Sequence, residues 1–197
     1  METLCLPATF PGPYRCIHIA QFENVKNGEA LREALISASK TPEHSEARQK
    51  MDYAFLDARC LVSKHQIHTA CVEAIVASLR INARDGGVMG LKTPSIHSEI
   101  LWTLNPNNNI ADALRRFGVS GATKTLLLVH VCASAPEGKE LQTIVRAMEA
   151  LVDGDLRTQG ISLALDPHSA STLLPPPEPN WKEIKMMYKL QDSPAHS

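Results

Sequence analysis

Thr125–Cys132 reads TLLLVHVC, an apolar run of strand length broken only by His130. A run of this kind, with no polar alternation, is expected where a strand is buried on both faces at the centre of a sheet. A second stretch, Arg15–Phe22 (RCIHIAQF), puts Cys16, His18, Ala20 and Phe22 on one face and Ile17 and Ile19 on the other. It reads as a further strand covered on both sides. Tyr53–Leu56 is a third, short candidate. Around these strands the spacing is helical. Asn27 is placed to cap a helix bearing Leu31, Ala34, Leu35 and Ala38. Cys60–Ala83 is the longest helix candidate, with Leu61, His68, Val72, Ile75, Val76 and Leu79 as its stripe and Asp85-Gly86-Gly87 as its stop. Thr41–Lys50 is polar and reads as a loop.

Ser95–Leu104 and Ile110–Phe117 form the best-specified pair of helices. The first carries Ile96, Ile100, Leu101 and Leu104. The second carries Ile110, Ala113, Leu114 and Phe117 at i, i+3, i+4 and i+7. Asn109 and Asp112 have capping-box spacing before the second helix. Gly118 stands where a left-handed residue would end it. Lys139–Val152 is amphipathic through Leu141, Ile144, Val145, Met148, Leu151 and Val152. Asp153–Pro179 reads as a proline-rich loop whose end, Pro175–Pro179, is a stiff spacer. Asn180 and Glu183 repeat the capping pattern ahead of Trp181, Ile184 and Tyr188. These elements predict one α+β domain over residues 15–190, helix-rich, with a small and mainly antiparallel sheet. Residues 1–14 are expected as a flexible N-terminus and residues 191–197 as a disordered tail.

The 197 residues carry a net charge of −1, so any hold on nucleic acid has to be local, because phosphate contacts dominate such affinity. Five cysteines, an odd number without a CxxC pair, fit a reducing compartment. Neither a signal peptide nor an apolar run of about 20 residues is expected, which argues against a membrane partner. No glycine-rich phosphate loop is found. His65, His68 and Cys71 share one side of a helix but lack an evident fourth zinc ligand, so packing is the favoured reading. His97, Ser98 and Glu99 are sequence neighbours, about 100° apart on a helix, and cannot form a nucleophile–base–orienter chain. His97 reads as a surface or interface residue, and the eight histidines show no clustering that suggests a redox metal. No catalytic residue, metal, cofactor or small-molecule substrate is expected.

Lys92–Val119, KTPSIHSEILWTLNPNNNIADALRRFGV, resembles the PRPK-binding protein family. That family carries a serine-x-glutamate helix, an S/N-P-N-N-N-I turn and a helix ending basic-basic-Phe-Gly. Val25-Lys26-Asn27 and Lys185-Met-Met-Tyr-Lys-Leu190 match in order. The resemblance implies a non-catalytic subunit of the KEOPS/EKC complex, in the nucleus and cytoplasm. Such a subunit grips the single-stranded 3′ CCA end of tRNA and docks onto the PRPK kinase/ATPase subunit, in support of threonylcarbamoyladenosine formation. On this reading the RNA side is Lys92, Ser95, Asn105, Asn107, Asn108, Asn109 and Arg116. The kinase side is Ile184, Met187, Tyr188 and Leu190, although the core is the favoured place for this apolar group. Relatives continue past this point into a final amphipathic helix, whereas Pro194 opposes one here. The residues alone favour a second reading, in which the asparagines only shape a tight turn. A kinase regulator that does not touch RNA is the alternative function, and a small enzyme with an unrecognised site is a third.

Overall fold

The computed structural model describes residues 1–10, 14–79, 90–107, 109–133, 139–166 and 175–190. The strands are β1 (Glu2–Cys5), β2 (Cys16–Glu23), β3 (Ala54–Asp57), β4 (Leu126–Cys132) and β5 (Asp155–Leu156). The helices are α1 (Gly28–Ser39), α2 (Glu46–Lys50), α3 (Lys64–Ser78), α4 (Ile96–Leu104), α5 (Ile110–Phe117), α6 (Lys139–Leu151) and α7 (Trp181–Tyr188). The sheet runs β1-β2-β4-β3 with every pair antiparallel, and β5 pairs with the far end of β2. The expected α+β class is what the chain adopts.

β2 and β4 are central and pair from Cys16 opposite Cys132 to Phe22 opposite Leu126. Ile17, Ile19, Leu127, Val129 and Val131 belong to one buried cluster, which includes residues of α3, α4, α5 and α7. Ala20, Phe22, Leu126 and Leu128 belong to a second, with Leu31 of α1 and Met148 of α6. Helices on both faces are why these strands read as unbroken apolar runs.

Several elements depart from the sequence reading. Glu2–Cys5, within the segment expected to be flexible, is an edge strand of the sheet. Asn27 makes no side-chain cap. Its amide instead donates to the Leu151 carbonyl (2.8 Å) and accepts the Asp153 N–H (3.0 Å), tying α1 to the end of α6. Glu46–Lys50, expected as loop, is a short helix capped by Ser45. α3 starts at Lys64 because Ser63 caps it, and Ala58–Cys60 is a separate 3-10 turn held by Asp57. The buried face of α3 is Ile67, Ala70, Cys71, Ala74, Ile75 and Ser78, while Val76 and Leu79 are exposed. Polar residues are spread around α3 (Lys64, His65, Gln66, His68, Thr69 and Glu73), so periodicity could not choose a face. Packing against α4 selects the side with small residues, where backbones approach closely. The Asp85-Gly86-Gly87 stop and the 191–197 tail lie outside the described residues.

Gly118 ends α5 in an extended conformation (φ −75°, ψ 154°), not a left-handed one. Glycine is needed there for space, since a Cβ would sit 2.3 Å from the Leu114 carbonyl oxygen. Within 153–179, Ile161 and Leu163 are buried in the main core, and residues 167–174 lie outside the described residues.

His97 is buried, not at the surface. Its Nε2 accepts the Val131 N–H (3.1 Å), so the ring proton sits on Nδ1 and is donated to Asp52 (2.8 Å). His97 also stacks on His130, and His130 on His18. Burial is the main cause lowering the pKa of His18, His68 and His130, with repulsion from a neighbouring histidine adding to it. A folded pKa below the unfolded one means that the unfolded chain binds more protons just under about pH 6.5. Stability contributed by these rings is therefore complete above about pH 6.5 and falls as the pH drops, with a limiting slope of about 1.36 kcal/mol per pH unit for each ring. Asp52 and Asp112 have lowered pKa values and add their losses only at more acid pH. Urea midpoints at pH 7 and pH 5.5 test this. The midpoint is expected to be lower at pH 5.5, with a smaller drop in His130→Gln; equal midpoints would show that the rings titrate normally.

Candidate functional site

The segment from Lys92 to Gly118 is organised by α4 and α5. Ser95 and Ser98 form a reciprocal capping box at the start of α4, each hydroxyl accepting the other's N–H at 3.1 Å. Glu99, one turn in, is 2% exposed. Its Oε2 accepts the Lys92 N–H (3.0 Å), the Thr93 N–H (2.9 Å) and the Thr93 hydroxyl (2.7 Å). A carboxylate gripping two successive amides fixes the chain that carries Lys92. The Lys92 ammonium lies 5.4 Å from the centre of the Trp102 ring, a cation–π arrangement.

Asn105 closes the end of α4. Its amide donates to the Asn109 carbonyl (2.9 Å), which joins α4 to α5. Its Oδ1 is buried and has no hydrogen-bond partner among the described residues. Lys92, Trp102 and Asn105 line a cleft of about 380 Å³ whose opposite wall is Val72, Val76 and Ala77 of α3. The cleft is polar and apolar in about equal measure: Val72, Val76, Ala77 and Trp102 supply the apolar part, and Lys92, Asn105, Thr103 and the exposed Glu73 line it beside them. Arrangements of this kind suit a planar group with hydrogen-bond donors on its edge and an anion beside it.

The other residues assigned to RNA are placed differently. Ser95 is occupied as the cap. Asn109 caps α5 by accepting the Asp112 N–H (3.1 Å). The reciprocal half of that expected capping box is replaced, because the Asp112 carboxylate binds Arg115 and Arg116 (2.8 Å each) and Asn107 (3.4 Å). The Arg116 guanidinium beside Asp112, then Arg115 and Asn107, hold its carboxyl down to about 2. Arg116 has a side chain only 13% exposed and also reaches Glu183 of α7 (3.5 Å), as does Arg115 (3.0 Å). The basic pair thus clamps α5 to α7, with the Arg115 side chain still 58% exposed. Asn107 is exposed, and Asn108 lies outside the described residues.

Of the residues assigned to the kinase, Ile184 and Met187 are buried in the main core. Tyr188 is partly exposed, donates to the Leu104 carbonyl (3.4 Å) and accepts from Gln66 (3.3 Å). Leu190, Met186 and Trp181 are exposed. Trp102 was missed by sequence reasoning; the available signal was an aromatic residue off the apolar stripe of α4. His65 is exposed and Cys71 fully buried, its thiol pushed up to about 12 by burial, which opposes the thiolate that zinc requires. Among the described residues no group of three or more His, Cys, Asp or Glu side chains could hold a metal ion, and no helix is long and apolar enough to cross a membrane.

Residues 22–197 match the kinase binding protein CGI-121 family. A relative from Cryptococcus neoformans var. neoformans, an EKC/KEOPS complex subunit CGI121, is 31% identical over 220 aligned residues, covering 98% of this chain and 88% of its own. The Gibberella zeae protein of the same name is 35% identical over 156 residues, 76% of this chain and 71% of its own. That of Schizosaccharomyces pombe is 29% identical over 137 residues, 70% of this chain and 69% of its own.

Proposed function

The chain belongs to the CGI-121 family of kinase-binding proteins, and from that premise we propose that it is a non-catalytic EKC/KEOPS subunit that presents the single-stranded 3′ end of tRNA. It works in the nucleus and cytoplasm, beside the PRPK kinase/ATPase subunit onto which it docks, in support of threonylcarbamoyladenosine formation. The observation carrying the RNA half is the cleft in which Lys92 stands over Trp102 and Asn105 keeps an unsatisfied acceptor. Unpaired ends are recognised by stacking and by contacts to base edges, without need of a broad basic surface. Trp102 offers the stacking surface, Val72, Val76 and Ala77 an apolar wall facing it, and Lys92 the phosphate contact. A chain of net charge −1 fits a grip this local. For the kinase half, the exposed Trp181, Met186 and Leu190 on and after α7 are the apolar groups offered to a partner, while Ile184 and Met187 anchor the helix from beneath.

The test is binding of intact tRNA and of tRNA lacking its CCA end, at fixed salt, with and without the kinase subunit. Trimming the CCA is expected to weaken binding. Trp102→Ala is expected to weaken binding of intact tRNA by about 1–3 kcal/mol, the worth of one stacked base, and to leave kinase binding unchanged. Equal weak binding of both RNAs with firm kinase binding would sink the RNA role and favour the regulator.

A further inference from the structure

We propose that Cys5 and Cys16 form a redox-responsive pair, in which reaction with a low-molecular-weight disulfide such as glutathione disulfide links them across β1 and β2. All five cysteines of the chain are thiols here. Three of them fall in one row across the sheet, Cys5 opposite Cys16 and Cys16 opposite Cys132. The Leu6 N–H donates to the Arg15 carbonyl (2.8 Å), which makes the neighbouring rung of the β1–β2 ladder the hydrogen-bonded one. Rungs alternate, so Cys5 and Cys16 face each other across a rung without hydrogen bonds, where Cα atoms stand about 4.5 Å apart. A disulfide requires Cα atoms about 4.4–6.8 Å apart, so the strands need little adjustment to close one.

The two thiols are also placed for sequential attack. Cys5 is exposed on the edge strand, open to a soluble disulfide, whereas Cys16 is buried beside it on β2. The Cys16 thiol is pushed up to about 12 by its burial and then by the neighbouring Cys5 thiol. On the other side of Cys16, Cys132 Sγ is engaged by His18 Nε2 at 3.4 Å. Cys60 and Cys71 are buried on other elements.

The chemistry balances as two exchanges. The Cys5 thiolate attacks one sulfur of glutathione disulfide, forming a mixed disulfide and releasing one glutathione thiolate. The Cys16 thiolate then attacks the Cys5 sulfur, the mixed S–S bond breaks, and the second glutathione leaves. Two protein thiols are oxidised and one glutathione disulfide is reduced to two thiols. The second step is the slow one, since Cys16 gives up its proton reluctantly, so closure quickens as the pH rises. The link fastens β1, whose Glu2 carboxylate accepts the Ile161 N–H (3.0 Å) and pairs with Lys64 (3.2 Å).

The whole chain would be incubated with glutathione disulfide at pH 8.5, quenched with acid, unfolded, tagged with a maleimide and mapped by mass spectrometry. Expected is the loss of two thiols with a Cys5–Cys16 linked peptide, reversed by dithiothreitol, abolished in Cys5→Ser and retained in Cys132→Ser. A lasting glutathione adduct on Cys5, a Cys16–Cys132 link, or retention of all five thiols would each overturn the proposal. Cys5→Ser alters an exposed position, and its urea midpoint in reducing buffer reports that the variant is folded.

Discussion

Phe117→Ala will lower the stability of this protein by about 3–5 kcal/mol, the cost of removing a fully buried phenylalanine. Phe117 has no exposed surface and sits at the end of α5, in the core cluster that also holds residues of β2, β4, α3, α4 and α7. The next residue, Gly118, bridges to Leu56 of β3. The ring therefore seats the end of α5 on the sheet, and little beside it can collapse into the space left behind. Because domains are stable by about 5–15 kcal/mol in total, this single change removes a large share. It also loosens the attachment of α7, since Arg115 and Arg116 on the same helix hold Glu183. Urea denaturation will show a lower midpoint with an unchanged slope. A loss below about 1 kcal/mol would mean that the cavity closes, contrary to the packing described.

Glu99→Ala will cost about 2–4 kcal/mol, from two backbone donors losing their acceptor at about 1–3 kcal/mol each, with exposed Lys92 at the lower end. The loss falls on Lys92 and Thr93, whose amides Glu99 holds at 3.0 and 2.9 Å. Hydrogen exchange at these two amides will rise more than in α3. Lys92 then loses its fixed place over Trp102, so tRNA binding is expected to weaken although Glu99 is itself an acid near the cleft. Glu99→Gln keeps an acceptor without the charge and should fall between wild type and Glu99→Ala. Unaltered exchange at Lys92 in Glu99→Ala would remove the claim that the carboxylate positions the site.

The strands β2, β3 and β4 and the α4–α5 pair were legible because their signals are local. β4 declares itself as an apolar run, and Asn109 and Asn180 each cap the helix that follows by accepting a free backbone N–H. Where more than one partner was available, local spacing failed. Asn27 could cap α1, yet its amide finds the Leu151 carbonyl and the Asp153 N–H from α6. Arg116 was read on the RNA side, yet Asp112 and Glu183 hold its largely buried guanidinium. The cleft joins Lys92 and Asn105 to Trp102 and to residues of α3, and nothing in their spacing announced that meeting.

The sequence by itself determined the class of fold, the central strands, the capped helices and, through the Lys92–Val119 motif, the family. Those features follow from backbone capping and from apolar runs, which act over a few residues. Tertiary structure alone decided the sheet order, the buried face of α3, the meeting of Cys5 with Cys16, and which polar residues stay uncommitted. These depend on partners distant in the chain, and a polar side chain takes whichever partner spares it an unsatisfied burial.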